Sequence, residues 1–238
     1  MQVHATEKFS SAIIMDEDGL SKLWKHINDF VGGVSATVSC IDGLERKFKN
    51  LDDLLSYENT VRAAAETIEL YGYGTNSDRS VTITVGRKYG VPIEVSIRGD
   101  EQDVIIMKNK IIDSVSGMRA WYSPLATVDR YIIGGLICGI LILVLRLMTP
   151  STTDKQTERS LIEAILEVGA FLLFFITPVF IVLVGIIKLH ARYFPIVSIL
   201  IGQGKQRYRI DEQVRWTVVI GFIVSLTASA IYALLSRT

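Results

Sequence analysis

The sequence predicts an α+β domain, a mostly antiparallel sheet with helices on one face, followed by an all-α transmembrane region of three helices. Two observations predict it. Residues 1–130 carry 15 Lys/Arg and 19 Asp/Glu, whereas residues 131–238 carry 10 and 6 and are apolar over most of their length. The first part also mixes short alternating segments with helical periodicity, and the second is built from long apolar runs. Together they set a sensing or docking domain over 1–128 and a membrane domain over 129–238.

In the first part, Phe9 to Met15 reads as a strand and Asp16 as the cap of a helix over 17–31. Leu20, Leu23, Trp24, Ile27, Phe30 and Val31 fall on one face of that helix. Val34, Ala36, Val38 and Cys40 alternate with Ser35, Thr37 and Ser39, the pattern of a half-buried strand. Asp42-Gly43 turns the chain into a strand over 44–48, and Asn50 opens a short helix, LDDLLSY. Strands follow near 67–73, 80–86 and 91–97, then a helix over 101–122 that Pro124 ends. The residues before Phe9 carry no clear pattern, and a fold complete within 1–123 is expected.

The second part holds three apolar runs near the about 20 residues that a span needs, over 131–148, 164–187 and 216–236. Lys188, Arg192, Lys205, Arg207, Arg209 and Arg215 fall between the second and third runs, and Lys108, Lys110, Arg119 and Arg130 precede the first. The positive-inside rule then sets the N-terminal domain and the 188–215 loop in the cytoplasm and the C-terminus outside. No signal peptide is read at the N-terminus. Within the loop, Phe194 to Gly202 is apolar but too short to cross, which fits an interfacial or re-entrant element.

Small residues recur at four-residue spacing, as Gly135 and Gly139 in the first run and as Gly221, Ser225 and Ser229 in the third. Such faces let helices pack closely, within one chain or in a homo-oligomer. Pro178 predicts a kink, a candidate gating hinge. Arg46, Lys47 and Lys49 after the Asp-Gly turn, and Lys205, Arg207 and Arg209 in the loop, are candidate contacts for an anionic ligand or for lipid headgroups.

Catalytic patterns are missing. The sequence has no H-E-x-x-H, C-x-x-C, G-x-S-x-G or G-x-G-x-x-G, and its histidines, His4, His26 and His190, are scattered. Cys40 falls on the apolar side of its strand, which makes it a core residue. Asp16/Asp18 and Asp52-Asp53 sit at helix starts, where carboxylates complement the helix dipole. No enzyme, cofactor or metal site is therefore expected. Two functions fit: an oligomeric membrane effector, a channel or pore gated by a cytosolic ligand or partner, or a membrane scaffold that docks a cytosolic protein.

Phe194-Pro195 and Ile201-Gly202-Gln203-Gly204-Lys205, set ahead of the last apolar run, resemble small bacterial membrane proteins of anti-phage defence. The overall plan is similar to the ion-channel effector of the Hailong two-component system. That resemblance implies a bacterial inner-membrane location, a homo-oligomeric channel that depolarises the infected cell, and a nucleotide or oligonucleotide signal. It transfers no ligand residue.

Overall fold

The computed structural model describes residues 1–74, 78–86, 91–128 and 177–236, with Ile132, Gly134, Gly135 and Gly139 as isolated helical positions. In chain order the elements are β1 (Gln2–Phe9), β2 (Ile13–Met15), α1 (Glu17–Val31), β3 (Val34–Cys40), β4 (Glu45–Phe48), α2 (Leu51–Leu55), β5 (Ala65–Tyr73), β6 (Ser80–Gly86), β7 (Ile93–Asp100), α3 (Glu101–Gly117), α4 (Ser123–Ala126), α5 (Thr177–Tyr193), β8 (Val197–Ile199) and α6 (Gly204–Leu235). They group into one unit of 1–127 with 193–238 and a second of 128–192.

Six strands form an antiparallel sheet in the order β1-β7-β6-β5-β3-β4. Helices α1 and α3 lie on one face, as the alternation demands: Ala36, Val38, Ile68, Leu70, Val81, Ile83, Val95 and Ile97 point into them and are buried. Each Val, Leu or Ile among them contributes about 1.5–3 kcal/mol by leaving water. Gly72 sits directly beneath α1, where a Cβ would stand 2.6 Å from the methyl groups of Ile27 and Val31. Asp16 caps α1 by accepting from the Gly19 amide at 2.7 Å, and Gly32 ends it with φ at 81°. The other sheet face is polar, with Lys8 paired to Glu94 at 3.3 Å and His4 within 2.9 Å of the Ser96 hydroxyl.

The N-terminus departs from expectation. In place of one strand over 9–15, Gln2–Phe9 forms the edge strand β1 against the full length of β7, and Ile13–Met15 forms a separate strand. Only every second residue of β1 is half-buried, and one of those is Glu7, so its sequence alternates weakly.

Phe194 to Gly202 is not an interfacial or re-entrant element. Its β8 pairs in parallel with β2, matching Ile13 to Val197 and Met15 to Ile199. The Ile13 amide donates to the Ile196 carbonyl at 2.9 Å, and the Leu200 amide to Met15 at 2.8 Å. Ile201 is then buried in the main core. Asn59, itself buried and at φ 48°, donates to the carbonyls of Ile199 and Ile201 at 3.3 and 3.1 Å and accepts from the Ala65 amide at 2.9 Å. Gly202 follows at φ 51°, so close to the chain that a Cβ would meet the Glu58 carbonyl at 2.4 Å. The core is thus completed by residues 197–204 and does not close within 1–123.

The expected three-helix transmembrane region is corrected as well. Among the described residues no helix is long and apolar enough to cross a membrane. The 131–148 run and most of the 164–187 run lie outside those residues. Of the second run, the described part from Thr177 lies in α5, whose last turn carries His190 and Arg192. The third run is not a separate span but the end of α6, whose first turns carry Lys205, Arg207, Arg209, Asp211, Glu212 and Arg215. The membrane channel, the membrane scaffold and the inner-membrane topology fall with the spans that supported them.

Asn59→Asp keeps the side-chain volume but turns the donor to Ile199 and Ile201 into an acceptor. Chemical denaturation should show a loss of about 2–4 kcal/mol, the cost of two buried carbonyls facing a carboxylate. An unchanged midpoint would remove Asn59 from the account of how β8 is held.

Candidate functional site

The candidate site grows from α6. Residues 207, 211 and 215 are four apart, so Arg207, Asp211 and Arg215 share one helix face. That face meets the chain around Tyr122 and β8. Arg215 is 1% exposed although it carries a guanidinium. Its Nε donates to the Asp211 carbonyl at 3.2 Å, and its charge lies 4.4 Å from the Tyr122 ring centre and 4.7 Å from that of Tyr208. Its two terminal nitrogens make no well-aligned hydrogen bond, although the Tyr122 and Tyr208 hydroxyls both lie near enough to the guanidinium for weaker ones. One nitrogen of Arg207 is buried and unpartnered.

Aromatic rings enclose Arg215. Tyr122 packs edge-on against Trp121 and Phe194, with centroids 5.8 and 5.9 Å apart. Trp121 stacks on Trp216 at 5.1 Å and 21°. The Tyr122 hydroxyl lies 3.2 Å from that of Ser198, which is buried on β8, and the Ser123 hydroxyl accepts from the Ala12 amide at 2.8 Å. Burial pushes the phenol pKa of Tyr122 up, opposed by the Ser198 hydrogen bond and by Arg215. Burial likewise raises that of Tyr208, again opposed by Arg215. Both hydroxyls therefore stay protonated at neutral pH.

Energetics make Arg215 unusual. Burying a charge costs several kcal/mol even after relaxation. A desolvated cation–π contact returns about 2 kcal/mol or somewhat more per ring. Two rings and one hydrogen bond offset part of the cost.

Beside this cage lies a cavity of about 140 Å³, open to solvent and lined by Asn59, Ser198, Gly204, Arg207, Tyr208 and Asp211 among others. Arg207 lines it directly, whereas Arg215 is not among its lining residues and packs on the ring of Tyr208, which is. The Asp211 carboxylate has no hydrogen-bond or ion-pair partner among the described residues. At about 30 Å³ per water the cavity takes four or five, well below the roughly 300 Å³ of a drug-sized pocket.

The chain matches no family model, no curated protein and no solved structure. The site is therefore read from its chemistry alone.

Of the basic residues singled out in the sequence, only Arg207 enters this site. Lys205 pairs with Glu17 at 2.6 Å, Arg209 is exposed, and Arg46 pairs with Asp42 at 2.6 Å beside the Tyr57 ring. Lys47 and Lys49 are exposed on and beside β4 and converge on nothing. Gly135 and Gly139 are helical and exposed, and Gly221, Ser225 and Ser229 lie on an exposed stretch of α6. Pro178 lies in α5, and the residues that would set a kink before Thr177 lie outside the described ones. Cys40 is buried, with its sulfur 3.3 Å from the Tyr57 hydroxyl. His26, kept below its usual pKa by burial and by Lys110, meets Asp29 and Arg79 in a separate surface cavity. No group of three metal-binding side chains occurs among the described residues.

Sequence reasoning missed Arg215, Tyr122, Tyr208, Asp211 and Ser198 as a set. The signal that finds part of it is the Arg-Asp-Arg recurrence at four-residue spacing beside Tyr208 and Trp216.

The raised phenols set a pH dependence. Above the ordinary tyrosine value of about 10, the unfolded chain releases protons that folded Tyr122 and Tyr208 keep, so stability falls as pH rises through that range. Tyr122→Phe should flatten part of that fall. Denaturation midpoints from about pH 8 to 11 that run parallel in both proteins would contradict it.

Proposed function

We propose that this chain is a non-catalytic binding protein that captures a small oxyanion in the cavity between Asn59, β8 and the start of α6. The carrying observation is the Arg207 guanidinium at the cavity wall, one nitrogen of which is buried without a hydrogen-bond partner. A protein leaves such donors unspent at a cost of about 1–3 kcal/mol each, more when charged, unless something else fills them. The protonated phenol of Tyr208 and the hydroxyl of Ser198 add neutral donors at the cavity wall. No nucleophile–base pair accompanies them among the described residues that line the cavity, which supports binding without chemistry.

Inorganic phosphate is the first probe. It should raise the unfolding midpoint with concentration, reaching about 2.7 kcal/mol of stabilisation at a hundredfold excess over Kd. Arg207→Gln should cancel most of that response. A midpoint that ignores phosphate, or that responds equally in the variant, would remove the anion reading.

A second reading concerns assembly. Val218, Ile220, Phe222, Ile223, Val224 and Leu226 on α6 are each more than half exposed. The nearby hydroxyls turn back on their own helix, Thr217 to Gln213, Thr227 to Ile223 and Ser229 to Ser225. The stretch presents a dry apolar surface, and a helix apolar on all sides is covered by something. We assign that cover to α6 of a second copy, with Gly221 at the crossing, where a Cβ would meet no atom within 4 Å. Light scattering should give a homo-oligomer that Gly221→Leu weakens. A chain that stays monomeric, with α6 covered by detergent or lipid instead, overturns the assignment.

A further inference from the structure

Asp211 gives the cavity a second property. Its carboxylate lines the same walls as Arg207, Ser198 and Tyr208 and has no partner among the described residues. It stands near enough to Tyr122 for its charge to raise that phenol's pKa. A carboxylate inside an anion site repels every anion that enters, so it lowers affinity unless the anion offers it a hydrogen. Guanidinium and hydroxyl groups donate, whereas an ionised carboxylate only accepts. The cavity thus holds several donors and one obligate acceptor.

We infer that the site selects an oxyanion that still carries a proton, inorganic hydrogen phosphate, over a fully ionised anion of the same size. This rests on the oxyanion reading above. Hydrogen phosphate keeps one P–OH across neutral pH. That hydroxyl donates to Asp211, while the remaining oxygens accept from Arg207, Tyr208 and Ser198. Sulfate has the same tetrahedral shape and no hydrogen to give, so it leaves Asp211 facing an anion oxygen with no bond between them. A donor–acceptor mismatch of this kind discriminates where shape cannot, because the two ions have the same shape and only one can bond Asp211. Size agrees with the choice. A five-atom ion fits within a cavity of about 140 Å³.

Arg215 contributes charge without contact. It is buried over the ring of Tyr208, which lines the cavity, so its charge adds to that of Arg207. Arg207 and Arg215 together outweigh Asp211, so a net positive potential remains even though one acceptor is present.

Isothermal titration of the full chain at about pH 7.5, where a phosphate monoester with its second pKa near 6 is mostly a dianion, separates the cases. Inorganic phosphate, sulfate and methyl phosphate serve as probes at matched ionic strength. Hydrogen phosphate should bind at least ten times more tightly than sulfate or methyl phosphate. Asp211→Asn, whose amide donates as well as accepts, should bring the three ligands within about threefold of one another, chiefly by a gain for sulfate. Its unfolding midpoint without ligand reports the fold, since the Arg215 contact to position 211 uses the backbone carbonyl and survives the change. Equal binding of phosphate and sulfate by the native chain overturns the selectivity and leaves the oxyanion site standing. So does unchanged selectivity in the folded variant. Binding of none of the three overturns both.

Discussion

The Asn59 side chain is the contact on which the rest depends. It is buried, it holds a backbone angle that few residues adopt, and it spends its amide on three chain segments: β8, the turn before α6 and the start of β5. Buried amides of this kind hold segments together because each group left unpaired would cost more than a made bond returns. Asn59 is also a wall of the cavity. The element that completes the core and the element that forms the site are therefore secured by the same residue. Because β8 and the first turn of α6 are fixed there, Ser198, Arg207 and Asp211 reach one cavity from two elements.

Much of the α+β domain was legible in the sequence, for reasons visible in particular elements. Helix α1 runs over Glu17–Val31, where apolar spacing and the Asp16 cap predict it, because both signals are local. β3 likewise follows its alternation of buried and half-exposed residues. β1 was not legible, since an edge strand with one face toward solvent and Glu7 on the other needs little apolar patterning. β8 was illegible for a different reason. Its partner β2 lies about 180 residues earlier, and a three-residue parallel pairing carries no local signature. An apolar segment bounded by Pro195 and Gly202 reads the same whether it lies on an interface or is buried in a distant part of the chain.

The error over the C-terminal part has a related cause. Hydropathy registers that a segment is apolar, not what covers it. Ile201 is apolar because it enters the domain core, whereas Val218 and Phe222 are apolar and exposed on α6. The basic residues between them were counted as one cytoplasmic loop, yet the structure separates them by use. Lys205 is spent on Glu17, Arg209 faces solvent, Arg207 lines the cavity and Arg215 is enclosed by rings. Charge counting treats these four residues as equal, and only their burial distinguishes them.

Arg215 shows how that distinction bears on function. A cation added for solubility lies at the surface, and one kept for stability is paired. Arg215 is neither, and its neighbours are chosen to tolerate a charge without neutralising it: two phenol rings, a backbone carbonyl and a serine hydroxyl one step away. Neutral rings lower the cost of burial while leaving the field of the guanidinium intact, whereas a carboxylate partner would cancel it. The nearest carboxylate on the same helix face, Asp211, lies instead along the cavity wall. A purely structural ion pair would have joined those two side chains across one helical turn, where i and i+4 positions are neighbours, and the chain leaves them apart.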